Sequence, residues 1–326
     1  MNPNSFILRL TATLCILAFA WLHGVAQLQF RPDGTLKIVQ FTDLHYKYGK
    51  KASNAATDMM REVIAAEQPD FVIITGDLVY ADQVGLALPE IAAPMVETAT
   101  PWAMVFGNHD EQFDMTLSEI YDSLQRMPHC ILPERPADVV SPDYVLDVKA
   151  SDGSDSIAAA LFCLDTHSGA QLPGVGTYAW LNYDQIGWYR RESAARTAQA
   201  GHTLPSLMFM HIPLQEINTA TEGKKPRMLG TKKEKVCYQA LNSGMFASVK
   251  EMGDVFAIFF GHDHDNDFLT TYDDVVLAYG RYSGGKTVYN HLGKNGARVI
   301  VLHEGTPAID TWLRLRGGET LYHWPE

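Results

Sequence analysis

Asp43-Leu-His45, Gly76-Asp77, Gly107-Asn108-His109-Asp110, the isolated His211 and Gly261-His262-Asp-His264 follow one another along the chain as short clusters of carboxylate, amide and imidazole. Two cations held about 3.5 to 4 Å apart repel, and a carboxylate that gives one oxygen to each offsets that repulsion. Asp77 is the candidate bridge. Asp43, His45 and His264 complete the donors of one ion, and Asn108, His211 and His262 those of the other. This mixture suits iron, zinc or manganese better than magnesium or calcium, which favour oxygen alone.

Clusters so far apart in sequence need a frame that gathers them. Each follows a short, mainly apolar run: Leu36 to Phe41, Phe71 to Thr75, Trp102 to Phe106, Leu207 to Met210 and Val255 to Phe260. Such runs read as strands buried on both faces. Side chains just past the carboxyl ends of adjacent strands converge on one point, which is where open α/β sheets build their sites. Between the runs, Ala55 to Gln68, Thr116 to Gln125, Asn182 to Ala200 and Tyr238 to Met252 carry apolar residues at helical spacing. Pro69 stops the first of these, and Asn182 is a candidate N-cap for the third. The repeat of strand, cluster and helix predicts sheets that are largely parallel near the site. Beyond Asp265, Val275 to Tyr279, Ala297 to Leu302 and Ile309 to Arg314 read as consecutive antiparallel strands completing a second sheet.

The ordered set Asp-x-His, Gly-Asp, Gly-Asn-His-Asp, lone His and Gly-His-x-His resembles the calcineurin-like metallophosphoesterase superfamily. Within it, Gly261 to Phe268, His211 to Glu216, and Leu164-Asp165 followed by Gly176 to Trp180 are similar to a purple-acid-phosphatase-like branch. The resemblance runs from about Leu36 to about Gly296. It implies an α/β fold, a four-layer α/β/β/α sandwich of two mixed sheets, with a dinuclear centre that hydrolyses phosphate esters. Iron paired with zinc, manganese or a second iron is the implied metal content. Any one motif is weak alone, but five in order are specific. The chain departs from the branch at one point: Gly76-Asp-Leu-Val-Tyr80 fits a pattern in which tyrosinate holds ferric iron, yet His45 stands where that pattern usually has no histidine. His45 is taken as the ligand, with Tyr80 packing beside it.

The expected chemistry is in-line attack on phosphorus by a metal-bound hydroxide, formed from a water whose pKa falls to about 7. Most of the rate then comes from positioning and charge stabilisation. By resemblance His109 sits over the leaving group, where an imidazolium donates a proton or holds a phosphate oxygen. Asp110 is expected to orient that ring, its bland alternative being a cap or turn. Arg281 is a candidate phosphate fork, set against an ordinary ion pair. Lys224, Lys225, Arg227, Lys232, Lys233 and Lys235 form the single basic cluster; they either steer phosphorylated substrates or make a solvated loop. Asp265-Asn-Asp267 lacks the spacing of a calcium loop and reads as a turn. His129, His167, His202, His291, His303 and His323 read as solvated or packing residues; His167, after the strand Ala160 to Leu164, is the one best placed to face substrate.

The chain has 326 residues, 46% hydrophobic, which suffices for one large domain with a substantial core. Its net charge of -12 argues against a stable nucleic-acid partner held on a broad basic surface. Residues 1–26 read as a secretory signal peptide: Arg9, an apolar run from Leu10 to Leu22, and small residues at Gly24-Val-Ala26. A retained N-terminal anchor is the alternative. With the signal removed, no membrane association is expected, and residues 27–326 form a single domain, secreted or periplasmic. Cys130, Cys163 and Cys237 then remain and permit at most one internal bridge. The expectation is an exported phosphomonoesterase of acid phosphatase type. Its rivals are a phosphodiesterase or nucleotide hydrolase with the same metals, and a non-catalytic phosphate- or protein-binding relative.

Overall fold

The computed structural model describes residues 27–222 and 227–325. The expected signal segment and Lys224 and Lys225 of the basic cluster lie outside the described residues. The chain begins with β1 (Leu28–Gln29), β2 (Thr35–Phe41), α1 (Lys51–Glu67), β3 (Phe71–Thr75), α2 (Val84–Glu97), β4 (Trp102–Val105) and α3 (Leu117–Gln125). It continues through β5 (Tyr144–Lys149), β6 (Ile157–Cys163), α4 (Tyr183–Ala200), β7 (Ser206–Phe209), α5 (Gln215–Thr221), β8 (Met228–Leu229), α6 (Met245–Met252) and β9 (Val255–Phe260). The last stretch is all strand: β10 (Leu269–Tyr272), β11 (Val275–Tyr279), β12 (Gly296–His303), β13 (Ile309–Leu315) and β14 (Thr320–Trp324).

These strands form two mixed sheets, ordered β1-β5-β6-β7-β9-β11-β10-β8 and β14-β13-β12-β2-β3-β4. Side chains of a strand alternate between its faces, and this alternation divides the core in two. Leu161 and Cys163, Leu207 and Phe209, and Ala257 and Phe259 join the residues of β2, β3 and β12 in one cluster. Their neighbours Ala160 and Phe162, Met208, and Ile258 and Phe260 join α4 and α6 in the other. With α1 packed on β2 and β12, and α2 and α3 beside it, the layers run helix, sheet, sheet, helix.

The motif strands are parallel, β2 to β3 to β4 in one sheet and β6 to β7 to β9 in the other. Their carboxyl ends therefore point to one edge of the sandwich. The Asn182 side chain accepts the N–H groups of Asp184 and Gln185 and so starts α4, while Thr116 and Glu119 form a capping box at α3.

Two expectations need correction, and one helix stands outside them. Val275 to Tyr279 does not join β12 and β13; it is β11, parallel to β9 and antiparallel to β10 in the eight-stranded sheet. The helix expected from Tyr238 begins only at Met245, because Gly244 at φ +91° ends the preceding loop. Helix α2 has no counterpart among the expected elements and carries Pro89 and Pro94 inside it.

Polar ties cross the apolar seam between the sheets. Gln40 of β2 donates from Nε2 to Thr75 Oγ1 at 2.8 Å and to the Phe260 carbonyl at 3.0 Å. Arg298 of β12, fully buried, donates to the carbonyls of Tyr279 at 2.6 Å and Asp267 at 2.7 Å.

Candidate metal centre

The loops after β2, β3, β4, β7 and β9 meet at this edge. Asp43, His45, Asp77 and His264 are all buried, and one ligand atom from each lies within 4.8 Å of the others. His45 Nε2 and His264 Nε2 are 2.9 Å apart. Asp77 Oδ2 is 3.4 Å from His45 Nε2 and 3.3 Å from His211 Nε2, so one oxygen faces both halves of the cluster. His211 Nε2 in turn lies 3.3 Å from His262 Nδ1. Asn108 is buried with its Oδ1 unpartnered, as is His45 Nδ1. An unpartnered buried amide oxygen beside converging imidazole nitrogens is costly without a cation to accept it.

The backbone is bent to bring this about. Asp43, His45, Asp77 and His262 all have φ between +43° and +82°, a region unfavourable to residues with a Cβ and often occupied at functional sites. Close approach also fixes two glycines. A Cβ on Gly76, at φ +85°, would lie 2.5 Å from His211 Nδ1, and one on Gly107 would collide with the Asp77 carboxylate.

Ring orientation is set by main-chain acceptors. His211 donates from Nδ1 to the Thr75 carbonyl at 2.7 Å, and His264 donates from Nδ1 to the Tyr289 carbonyl at 3.0 Å, which leaves each Nε2 for the centre. Charge is arranged to match. Burial alone would raise the Asp43 pKa, but His264 and His211 bring it down to about 2. Asp77 is likewise held well below the usual carboxylate range by His211 and His45 despite its burial. Burial pushes His45 down to about 4 and His262 to about 3, while Asp77 and Asp43 overcome it at His211, raised to about 10.

His109 stands beside the cluster, its ring 5.4 Å from that of His45. Its N–H donates to Asp77 Oδ1 at 2.9 Å and its Nδ1 pairs with Gln112 Oε1 at 2.8 Å. Among the described residues none hydrogen-bonds its Nε2. Asp110 does not orient that ring as expected: its carboxylate accepts the backbone N–H groups of Asp77 at 3.0 Å, Leu78 at 2.7 Å and Gly107 at 2.8 Å. Burial and the Asp77 charge push the Asp110 pKa up to about 7. Arg281 also stands apart. It is buried, paired with Asp267, and donates to the carbonyls of Lys294 and Leu292, so its guanidinium is committed within the fold.

Tyr80 lies edge-on to His45 at 5.1 Å and to His109 at 4.9 Å, with Lys47 Nζ 4.8 Å over its face. Two described lysines of the basic cluster are tethered, Lys232 to Thr221 and Lys233 to the His291 carbonyl. Gln112 and the two orienting carbonyls were not foreseen. A main-chain acceptor has no side-chain signal, whereas Gln112, three residues beyond His109, was readable.

Two mixed sheets with a carboxylate shared between clusters at their common edge define a metallophosphoesterase. The chain belongs to the calcineurin-like phosphoesterase family, whose model matches residues 36–266. It is 30% identical to a protein named probable inactive purple acid phosphatase 14 of Arabidopsis thaliana, over 97% of this chain and 88% of that one. It is 28% identical to the phosphatase DCR2 of Saccharomyces cerevisiae, over 90% of this chain and 56% of that one. Among solved structures, a dimetal phosphatase from Danio rerio matches with a TM-score of 0.58 at 13% identity, over 88% of this chain and 99% of that one. GAP50, the anchor in the inner membrane complex of Plasmodium, matches with a TM-score of 0.56 at 13% identity, over 89% of this chain and 87% of that one. At such identities the likeness speaks for the fold alone.

Proposed function

We propose that this chain is an exported, metal-dependent phosphatase that hydrolyses phosphate monoesters. The observation that carries the reading is Asp77 Oδ2, poised at 3.4 Å and 3.3 Å from the imidazoles of two different donor groups. Asp43, His45 and His264 would hold one ion and Asn108, His211 and His262 the other. A bound pair supplies charge for the phosphate oxygens and an acidified water.

The chain's own residues do the rest. Asp77 Oδ1 fixes the His109 backbone and Gln112 fixes its ring, so the imidazole is held beside the centre with Nε2 open toward substrate. From there it can donate a proton to the departing alkoxide, which general acids of this kind accelerate about a hundredfold or more. Export rests on the expected signal peptide; an intact-mass measurement showing a mature chain that begins at Gln27 tests it.

The word "inactive" in the names of the Arabidopsis relatives favours a second reading, a phosphate-binding protein without turnover. The seven expected ligands present in this chain, together with His109, support catalysis. Metal-reconstituted protein is assayed on 4-nitrophenyl phosphate and its bis ester, with Asp77→Ala as control. Turnover of the monoester that vanishes in the variant supports the proposal. Faster turnover of the diester favours the phosphodiesterase, and no turnover of either from acid to neutral pH favours the binding protein.

A further inference from the structure

A cleft of 380 Å³ has Gly107, the residue before Asn108, in its wall. Its outer wall is the loop from His167 to Asn182, which is fastened to Asn108 and His262, two candidate donors of one ion. Ser168 Oγ donates to the Asn108 carbonyl at 3.0 Å, and the Tyr178 ring stands edge-on to His262 at 4.4 Å. Between these anchors the loop closes on itself: the Ala170 N–H donates to the Thr177 carbonyl at 2.9 Å, and the Ala179 N–H to that of Ser168 at 3.0 Å. His167, at φ +59°, shares the left-handed backbone of the ligands. Its N–H donates to Asp165 at 2.9 Å, and its Nε2 donates to Gln185 at 2.9 Å.

The lining is of two kinds. Leu172, Ala179, Trp180 and Leu117 make a broad apolar wall, and Leu172 is 55% exposed there without a covering partner. Glu111 and Asp165 make the charged part, and among the described lining residues there is no lysine or arginine. A flat apolar group gains from contact with an indole, and carboxylates repel a second anion. We infer that this cleft is the leaving-group subsite, and that it selects monoesters of aromatic alcohols whose far edge is neutral or cationic. The inference rests on the phosphatase reading above, and Glu111 and Trp180 are its specificity-determining residues. Polyanionic esters are disfavoured by the same arrangement, because a second phosphate would sit against Glu111.

Binding separates this from catalysis. The metal-loaded full chain is titrated calorimetrically with methylphosphonate, phenylphosphonate, 4-(aminomethyl)phenylphosphonate and 4-carboxyphenylphosphonate. The aryl ligands are expected to bind about tenfold tighter than methylphosphonate, a gain that Trp180→Ala removes. The aminomethyl ligand is expected to exceed the carboxy ligand by about three- to fivefold, and Glu111→Gln to narrow that gap. Should Trp180→Ala fail to fold, Leu172→Ala at the exposed wall reports the same loss at about twofold or more. Aryl ligands no tighter than methylphosphonate, or a charge preference unchanged in Glu111→Gln, overturn the assignment. If 4-nitrophenyl phosphate is not turned over while these preferences persist, the phosphatase reading falls and the aryl subsite stands.

Discussion

The backbone N–H of Asp77 donates to Asp110 Oδ2 at 3.0 Å, so the acid that follows His109 in sequence serves the Asp77 backbone and not the histidine ring. Replacing it with alanine leaves the N–H groups of Asp77, Leu78 and Gly107 buried without acceptors, at about 1 to 3 kcal/mol for each such group. Asp110→Ala is therefore expected to lower both metal content and the denaturant midpoint, with the shape of the pH profile of any residual turnover unchanged. Normal metal content with only the acid side of the profile altered would return Asp110 to His109.

His45 and Tyr80 are alternatives for one role, and His45 is the expected ligand. The His45 nitrogen lies within the cluster, while the Tyr80 ring packs against the His45 and His109 rings and under Lys47. His45→Ala should weaken one ion by more than about a hundredfold, since even groups behind a ligand are worth about ten- to a hundredfold. Tyr80→Phe should leave elemental stoichiometry and the visible spectrum as they were. Loss of a long-wavelength band in Tyr80→Phe would reverse the assignment.

Arg281 and Asp267 form a buried pair, both almost completely shielded from water. Removing one member leaves an uncompensated charge, which costs about 3 to 5 kcal/mol. Arg281→Met is expected to lower the urea midpoint accordingly while the KM of the folded fraction stays within about twofold of the parent. A large rise in KM at unchanged stability would make Arg281 a substrate contact after all.

Asp143 accepts Gln185 Nε2 and the Asp165 N–H at 2.9 Å each, and burial pushes its pKa up to about 6. Because this exceeds the ordinary carboxylate value, the folded chain binds more protons than the unfolded one in between. The acid is thus most compatible with folding below about pH 4, and stability falls as pH rises through about 6. The side chain keeps some contact with water, so the loss near neutrality is about 1 to 2 kcal/mol. Asp143→Asn keeps an oxygen for both donors, and it should raise the denaturant midpoint at about pH 7.5 but not at about pH 4.5. A gain of equal size at both pH values would show that ionisation is not the cause.

What was legible in the sequence depended on range. Phe71 to Thr75 and Val255 to Phe260 announce buried strands by composition alone, and the clusters behind them inherit their convergence from the parallel arrangement. Residue types sufficed to pick out Asp43, His45, Asp77 and His264, which the fold gathers, because imidazole and carboxylate at strand ends have few other collective uses. Partner choice did not follow from adjacency. Asp110 stands next to His109, yet successive side chains in a tight loop diverge, and the acid turns toward Leu78. Val275 to Tyr279 forms a hairpin with β10, whose Leu-Thr-Thr-Tyr sequence carries little strand signal, and pairs with β9 along its other edge. In α2, Pro89 and Pro94 hid a helix that packing against α1 and α3 sustains.

The candidate donors come from both sheets: Asp43, His45, Asp77 and Asn108 from the six-stranded one, His211, His262 and His264 from the eight-stranded one. A bound ion would therefore act as a cross-link between two halves of the sandwich, and chelation would unfasten a joint as well as empty a pocket. Hydrogen exchange should then quicken together in β2 and β9, on opposite sides of the seam, when metal is withdrawn.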